Sequence, residues 1–158
     1  LVGHSERRHV FGETESDTQK KVEALLAAGM TPLLCVGEKL AERESGDTLI
    51  VVLRQLGNAV AALQPEQLSR VIIAYEPVWA IGTGKNATPK DAADVHRAIR
   101  AELVSRGYQR PRILYGGSVN EKNIRSLLAE PEIDGVLVGG ASLEPEAWAR
   151  IVETRSTD

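Results

Sequence analysis

The sequence predicts an α/β fold built from consecutive strand–helix units around a parallel sheet. Short, almost continuously apolar runs recur along the chain, and each is followed by a longer segment whose apolar residues repeat at helical spacing. Strands that are apolar at nearly every position are typical of parallel sheets that are covered on both faces. Right-handed strand–helix–strand connections leave two architectures open, a doubly wound open sheet and a closed (β/α)8 barrel.

Five apolar runs are predicted to form the strands. They are LVG at 1–3, PLLCV at 32–36, VIIAY at 71–75, ILY at 113–115 and VLV at 136–138. Because a strand of this kind is too apolar to be half exposed, each is expected to lie inside the fold.

Five helices are predicted after these strands, from apolar side chains spaced three or four residues apart. Their signals lie at 22–26, 49–63, 95–103, 124–128 and 145–152. Gly29 is expected to end the first helix. The third has boundary signals at both ends, with Thr88 and Pro89 before it and Gly107 after it. The prediction is therefore five βα units in one domain.

Composition excludes several classes of protein. The 158 residues are 42% hydrophobic and 26% charged, with a net charge of −3 and no long basic run, so we expect a globular domain that does not bind nucleic acid. The one cysteine, Cys35, can form neither an internal disulfide nor a zinc site, which favours a cytoplasmic location. No run approaches the roughly 20 apolar residues of a membrane span. The chain opens on apolar Leu1 and Val2 without Met, from which we expect a cut inside a domain.

Polar or glycine-rich clusters follow every predicted strand. They are HSE at 4–6, GE at 37–38, EP at 76–77, GGS at 116–118 and GG at 139–140. The carboxyl ends of parallel strands meet at one edge of the sheet, where α/β proteins build their sites. Taken singly, the glycines are explained by tight turns, Glu76 by solvation and His4 by a helix-terminal hydrogen bond. Their convergence on one rim favours a functional interpretation.

Four motifs carry a resemblance to a known family. GHSERR at 3–8, AYEPVWAIGTGK at 74–85, YGGSV at 115–119 and GVLVGGASL at 135–143 resemble, in this order, four motifs of triosephosphate isomerases. These are the histidine motif, the catalytic glutamate with its closing loop, and two phosphate-binding loops. The resemblance covers essentially the whole chain and implies a (β/α)8 TIM barrel. A barrel takes about 250 residues, so the chain is expected to cover about strands 4 to 8, with strands 1 to 3 absent.

The resemblance implies that Glu76 and His4 are catalytic. Glu76 would be the base that acts on a C–H bond beside a carbonyl, and Pro77 directly after it restricts the backbone there. His4 would donate a hydrogen bond, as a neutral imidazole, to the developing enediolate oxygen. A helix that begins at Ser5 would disfavour the imidazolium form. Ser5 and Glu6 would support the site, although an ion pair of Glu6 with a neighbouring arginine is the alternative.

The resemblance also implies a phosphate site, a lid and the overall reaction. Backbone amides of Ser118, Gly139 and Gly140, together with Gly82, would bind phosphate, because absent side chains let a dianion approach. The lid would exclude water and comprises Pro77, Val78, Trp79, Ala80, Ile81, Gly82, Thr83, Gly84 and Lys85. Trp79 has a packing interpretation as well. The implied reaction interconverts dihydroxyacetone phosphate and D-glyceraldehyde 3-phosphate in a homodimer without a cofactor.

Other side chains receive simpler predictions. Cys35 is expected to be a small buried hydrophobe, and His96 to face solvent on its helix. Leu34, Ile73 and Leu114 are expected to face the barrel interior and to lack the opposite strands that would cover them.

One family motif is missing. An Asn-x-Lys motif after the first barrel strand supplies an essential lysine in the family, and here the letters occur only at 120–122, beside a phosphate loop. The loop that interlocks family dimers is absent too. Two hypotheses follow: part of a functional isomerase, or an inactive half-barrel that needs self-association or a complementing chain. Another phosphate-binding barrel, such as an enzyme of tryptophan or histidine synthesis, is a third, which the glutamate motif argues against.

Overall fold

A four-stranded parallel sheet lies at the centre of the fold. The computed structural model describes residues 1–81 and 87–154. The strands pair in sequence order, as β1 Leu33–Val36, β2 Ile72–Tyr75, β3 Ile113–Tyr115 and β4 Gly135–Val136. Strands of this order and direction need a crossover between each pair, and helices provide it. The predicted α/β class and the presence of the four later strands are confirmed, although the last strand lies at Gly135–Val136 and not at 136–138.

The helices follow the strands as the apolar spacing predicts. Their bounds are α1 Ser5–His9, α2 Glu15–Ala27, α3 Leu40–Glu44, α4 Thr48–Val60, α5 Pro65–Leu68, α6 Pro89–Ser105, α7 Ile124–Leu128 and α8 Pro145–Glu153. Capping boxes begin α2, from Thr14 with Asp17, and α6, from Thr88 with Asp91. No helix in the described parts of the chain is long and apolar enough to cross a membrane.

The first predicted strand is reduced to a single bridge. Val2 pairs with Leu34 in parallel, through N–H groups of Val2 and Cys35 that donate to Leu33 O and Val2 O, both at 2.9 Å. Gly3 then turns the chain away with a φ of 68°, a conformation that glycine adopts without strain. The prediction of a strand at 1–3 is therefore wrong in extent, although Val2 does extend the sheet beyond β1.

The register of the strands corrects the predicted interior face. Leu34 pairs with Ile73 and Ile73 with Ile113, whereas Leu114 lies in the next row, beside Ala74. Because side chains alternate between faces with a period of two, Leu114 points to the opposite side from Leu34 and Ile73. The row with Leu34 and Ile73 is 0% exposed and joins the hydrophobic core that the helices cover. Those two residues are covered, contrary to the prediction, and Leu114 lies on the face that carries the site.

His96 is buried, which corrects the expectation that it faces solvent. It is 0% exposed on α6, one turn after the buried Ala92, and so lies on the apolar face of the helix. Its ring meets Tyr75 edge-on at 5.9 Å between centroids, and its Nδ1 lies 3.1 Å from the carbonyl oxygen of Glu132. Burial lowers the pKa of the imidazole to about 4, so the ring is neutral and its Nδ1–H donates to that carbonyl.

Candidate active site

Glu76 lies at the carboxyl end of β2, and backbone hydrogen bonds hold it there. Its N–H donates to the carbonyl of Val36 on β1, and the N–H of Gly116 donates to the carbonyl of Tyr75, both at 2.8 Å. The residue is 3% exposed. A carboxylate is thus held inside the protein at the edge of the sheet, where the sequence predicted the base.

Two glycines give Glu76 the space it occupies. A Cβ on Gly37 would lie 1.8 Å from the carbonyl oxygen of Glu76, and a Cβ on Gly116 would lie 2.8 Å from its Cγ. Neither glycine has a positive φ. Close approach, rather than an unusual backbone conformation, therefore requires glycine at these two turns.

His4 and Ser5 reach the same carboxylate from α1. His4 is the N-cap of the helix, and its Nδ1 accepts a hydrogen bond from the N–H of Glu6 at 3.4 Å. Nδ1 is then unprotonated, which assigns the proton of a neutral ring to Nε2. Nε2 lies 3.2 Å from Glu76 Oε1, and the N–H of Ser5 donates to Oε2 at 3.2 Å. The predicted helix start at Ser5 is confirmed, and it aims an imidazole N–H at the buried carboxylate.

Burial dominates the electrostatics of this carboxylate. Burial raises the pKa of the Glu76 carboxyl above its ordinary value, and the opposing influences of His4, the Ser5 amide, the Cys35 thiol and Arg8 leave it raised. Cys35 itself is fully buried, as predicted, and its burial raises the pKa of the thiol, which stays protonated and donates a hydrogen bond to Glu76. A base with a raised pKa holds a transferred proton more readily than an exposed carboxylate does.

A pocket of about 400 Å³ opens beside His4 and Glu76. Its opposite wall consists of the turns after β3 and β4, which include Ser118, Gly139 and Gly140. A Cβ on Gly139 or Gly140 would find no atom within 4 Å, so these glycines border open space. Within residues 1–81 and 87–154, the three amides donate to no protein group. The predicted phosphate-binding amides thus share one pocket with the predicted catalytic pair.

The first part of the predicted lid is anchored beside the pocket. Val78, Trp79 and Ala80 form a 3₁₀ turn, and Ile81 lines the pocket. The Trp79 indole N–H donates to Glu38 at 2.8 Å, and the Arg43 guanidinium lies 4.6 Å from the centre of the indole ring. The lid residues Gly82, Thr83, Gly84 and Lys85 lie outside the described residues, as does the phosphate contact predicted for Gly82.

Glu38 has a larger part in this arrangement than its sequence position suggested. Its side chain is 0% exposed and accepts hydrogen bonds from the Tyr75 hydroxyl, at 3.1 Å to each oxygen, as well as from Trp79. It therefore ties the end of β2 to the start of the lid. The sequence held one signal for this role, a carboxylate in the Gly37-Glu38 cluster after an apolar strand, although only Glu76 follows its strand directly.

Some predicted residues lie apart from the site. Glu6 is exposed, and the neighbouring arginines pair elsewhere, Arg7 with Glu13 and Arg8 with backbone carbonyls. The ion pair proposed as the alternative for Glu6 is therefore wrong. The segment 120–122 forms a turn before α7, in which Asn120 Oδ1 accepts from the Lys122 N–H, as expected for phosphate-loop architecture. In the described parts of the chain, no group of three or more His, Cys, Asp or Glu side chains could hold a metal ion.

The chain is similar to known proteins along almost its whole length. The family model described as triosephosphate isomerase matches residues 1–155. Curated triosephosphate isomerases from Solibacter usitatus, Paracidovorax citrulli and Thermus thermophilus are 51%, 54% and 52% identical over 96% of this chain. The match takes in 63%, 61% and 62% of those relatives, so the chain spans about three fifths of their length. The four parallel strands are accordingly part of a TIM barrel, and the chain belongs to the triosephosphate isomerase family.

Proposed function

We propose that the complete protein carrying this chain interconverts dihydroxyacetone phosphate and D-glyceraldehyde 3-phosphate. The observation that carries the proposal is the approach of His4 Nε2 to Glu76 Oε1, at 3.2 Å, on one wall of a pocket. The other wall includes Ser118, Gly139 and Gly140, whose amides donate to no group within residues 1–81 and 87–154. A base, an electrophile and an anion site in one pocket are what proton transfer beside the carbonyl of a phosphorylated triose requires.

Glu76 is assigned the proton transfers. Its carboxylate takes a proton from the carbon beside the substrate carbonyl, and the electrons of that C–H bond form the double bond of an enediolate. The carboxylic acid then returns the proton to the former carbonyl carbon. The hydroxyl proton of the first carbon moves to the former carbonyl oxygen through the His4 imidazole, which leaves a carbonyl on the first carbon and regenerates the carboxylate. Because burial raises the pKa of Glu76, that pKa lies closer to the pKa of the substrate C–H bond. A smaller difference between the two pKa values favours proton transfer in both directions.

His4 is assigned the stabilisation of the enediolate oxygen. The Nε2–H that now faces Glu76 donates to the substrate oxygen as negative charge develops there. The amide of Glu6 at Nδ1 keeps the ring in the tautomer that can donate from Nε2. A substrate that lies between the two side chains replaces their mutual hydrogen bond, so neither is left unpaired.

The amides of Ser118, Gly139 and Gly140 are assigned to the substrate phosphate. Their N–H groups border the pocket and donate to no group in the described residues, so a phosphate dianion would supply their acceptors. The lid from Pro77 to Lys85 is assigned the exclusion of water, which prevents the loss of the reactive enediolate. No cofactor is assigned.

The wider role follows from the family. We propose that the protein acts in glycolysis and gluconeogenesis; the name of the matching family supports the first of these. A cytoplasmic location, favoured by the single cysteine, and a homodimer are proposed with it. Ser5 is assigned a supporting role through its hydrogen bond to Glu76. Glu6 contributes through its amide on His4, since its side chain is exposed.

The chain spans only about three fifths of the length of its relatives, which supports a second proposal. In this alternative the 158-residue chain is an inactive half-barrel that associates with itself or with a complementing chain. The family's Asn-x-Lys motif is absent from the sequence at the expected place, which is the observation that favours inactivity of the chain alone.

The intact mass and the turnover of the natural protein separate the two proposals. A species of about 27 kDa, the size of a full barrel, that converts each triose phosphate into the other would support the first. The experiment measures both directions with purified protein and includes Glu76→Gln as the control for contaminating isomerase. A naturally expressed protein of 17.1 kDa without turnover would favour the second.

A further inference from the structure

Arg8 makes two hydrogen bonds that join the segment carrying His4 to the sheet. Its Nε donates to the carbonyl of Gly3 at 2.7 Å, and its Nη2 donates to the carbonyl of Cys35 on β1 at 3.1 Å. The Gly3 carbonyl belongs to the peptide bond between Gly3 and His4. The thiol of Cys35 donates a hydrogen bond to Glu76. A single guanidinium thus links the backbone of both flanks of the His4–Glu76 pair.

Gly3 leaves the space that this side chain needs. A Cβ at residue 3 would lie 2.6 Å from Arg8 Nη2, and the φ of 68° at Gly3 directs its carbonyl into the contact. Arg8 is half-buried, whereas its neighbour Arg7 is exposed and bonds to Glu13 at 3.2 Å. Two adjacent arginines on α1 therefore differ in environment, and the inner one contacts the backbone of Gly3 and Cys35.

We propose that Arg8 is a positioning residue, whose guanidinium holds the peptide of His4 against β1 and so sets the distance between His4 and Glu76. The inference rests on the function proposed above. The planar guanidinium can donate to two carbonyls at once from a fixed fork, which an ammonium group on a flexible stem does not reproduce. Misplacement of a reacting group by about 1 Å costs roughly 10²-fold in rate.

The charge of Arg8 has a second consequence for Glu76. Arg8 favours the ionised form of the Glu76 carboxylate and opposes part of the burial that raises its pKa. The other groups that face Glu76 are His4 and the Ser5 amide from α1 and the Cys35 thiol from β1. Those that face Arg8 are Glu15, Glu13, Cys35 and Glu76. Removal of the positive charge should therefore raise the pKa of Glu76 further.

The test compares Arg8→Gln, Arg8→Lys and the control Arg7→Gln in the complete protein. For each, kcat, KM and the pH dependence of kcat/KM are measured per mole of folded protein. The second ionisation of a phosphate, with a pKa of about 6, affects every variant equally, so only differences between variants are used. The pKa of Glu76 is also followed directly by carbon NMR of its labelled carboxyl group, a measurement that needs no turnover.

Arg8→Gln should lower kcat by about ten- to a hundredfold, with little change in KM. It should also move the acid limb, which is the fall of kcat/KM at low pH, to higher pH, together with the pKa of Glu76 measured by NMR. Arg8→Lys should keep the acid limb near that of the wild type but lose part of kcat, and Arg7→Gln should change neither. Wild-type kcat and acid limb in Arg8→Gln, or an equal shift in Arg7→Gln, would overturn the proposal.

The proposal can still be tested if Arg8→Gln does not fold or if the wild-type protein has no turnover. If Arg8→Gln does not fold, Arg8→Lys decides, since wild-type kcat in that variant contradicts a role for the two-carbonyl contact. If the wild-type protein shows no turnover, the proposed function fails. The Arg8 inference is then judged separately, by the NMR pKa of Glu76 in the wild type and in the variants.

Discussion

His4 Nε2 and Glu76 Oε1 lie 3.2 Å apart, although His4 caps α1 near the start of the chain and Glu76 follows β2. At that distance no substrate atom fits between them, so the pair must separate when substrate binds. The missing Cβ at Gly116, which would lie 2.8 Å from Glu76 Cγ, leaves room for the carboxylate to move. The hydrogen bond pairs the half-buried imidazole with the buried carboxylate in the absence of ligand.

Glu76→Gln should abolish most proton transfer. We expect kcat to fall by roughly 10²-fold or more, the scale for loss of a positioned base, while a phosphate ligand still binds, because amides on the other wall hold it. Turnover of the pure variant and calorimetry with inorganic phosphate measure the two effects. Wild-type turnover would remove Glu76 from its role.

The same substitution should stabilise the fold at neutral pH. Burial raises the pKa of Glu76, so the folded state binds the proton more tightly than the unfolded state does. The stability this group contributes is complete below its ordinary pKa and falls as pH rises through the higher folded value. An uncharged amide avoids that loss, so Tm at pH 7 should rise in Glu76→Gln but not in Glu66→Gln, which changes an exposed carboxylate.

Ser118→Pro should weaken the binding of inorganic phosphate, because Ser118 lines the pocket and proline removes its backbone N–H, the group proposed to bind the phosphate. Loss of one hydrogen bond to a charged group is worth about 1.5–3 kcal/mol, roughly ten- to a hundredfold in Kd. Ser118→Ala keeps the amide and is the matched control. Equal affinity of the two variants would show that this amide does not contact the ion.

Three glycine-to-alanine substitutions should have different effects on stability and turnover. Gly37→Ala places a Cβ 1.8 Å from a backbone oxygen and should destabilise by about 3 kcal/mol or more. In Gly116→Ala the new Cβ meets the Glu76 side chain at 2.8 Å, so the main effect should be a lower kcat, with a small loss of Tm. Gly57→Ala, inside α4 and 3.4 Å from a flexible arginine side chain, should stabilise by about 0.5–1 kcal/mol. Chemical denaturation and turnover measure all three.

His96 should make the protein sensitive to acid. Its folded pKa of about 4 lies below the ordinary value of 6.5, so the stability it contributes is present above pH 6.5 and is lost as pH falls toward 4. Between pH 7 and pH 5 that loss is about 2 kcal/mol. Glu76 acts in the opposite direction, so the readout is the difference in pH slope between wild type and His96→Asn, measured by urea denaturation. His9→Asn is the comparison: burial also lowers the pKa of this exposed histidine, but only His96 is fully buried, so His9→Asn should change the slope less than His96→Asn. Equal slopes in all three proteins would contradict the prediction.

The 158-residue chain, prepared alone, should associate or aggregate and should lack isomerase activity. Beside β4 a groove of about 640 Å³ is lined in part by the apolar side chains of Ile124, Leu128 and Val136, and the apolar side chains of Trp148 and Val152, which also line it, are exposed. Apolar surface left in water costs about 25 cal/mol per Å². Light scattering and a turnover assay check this, and a separately made N-terminal piece should restore some activity. A cooperative, monomeric and active chain would contradict it.

Local patterns determined much of this protein in advance. Apolar runs and helical spacing located four of the strands and the main helices, because residues close in sequence set both signals. The glycine and carboxylate clusters after the strands predicted one rim, and the structure brings His4, Glu76, Ser118, Gly139 and Gly140 to one pocket. Parallel topology alone places the ends of such strands at the same edge.

Only the tertiary structure decided which face each buried residue takes. When a strand is apolar at every position, alternation gives no sign of its two sides, so Leu34 and Ile73 were assigned to the wrong face until the register placed them. His96 is polar yet buried, because the carbonyl of Glu132, 36 residues away, accepts a hydrogen bond from its Nδ1–H. Contacts between distant residues, such as Ser5 with Glu76 or Arg8 with Cys35, depend on how the strands pair, and no short stretch of sequence encodes that pairing.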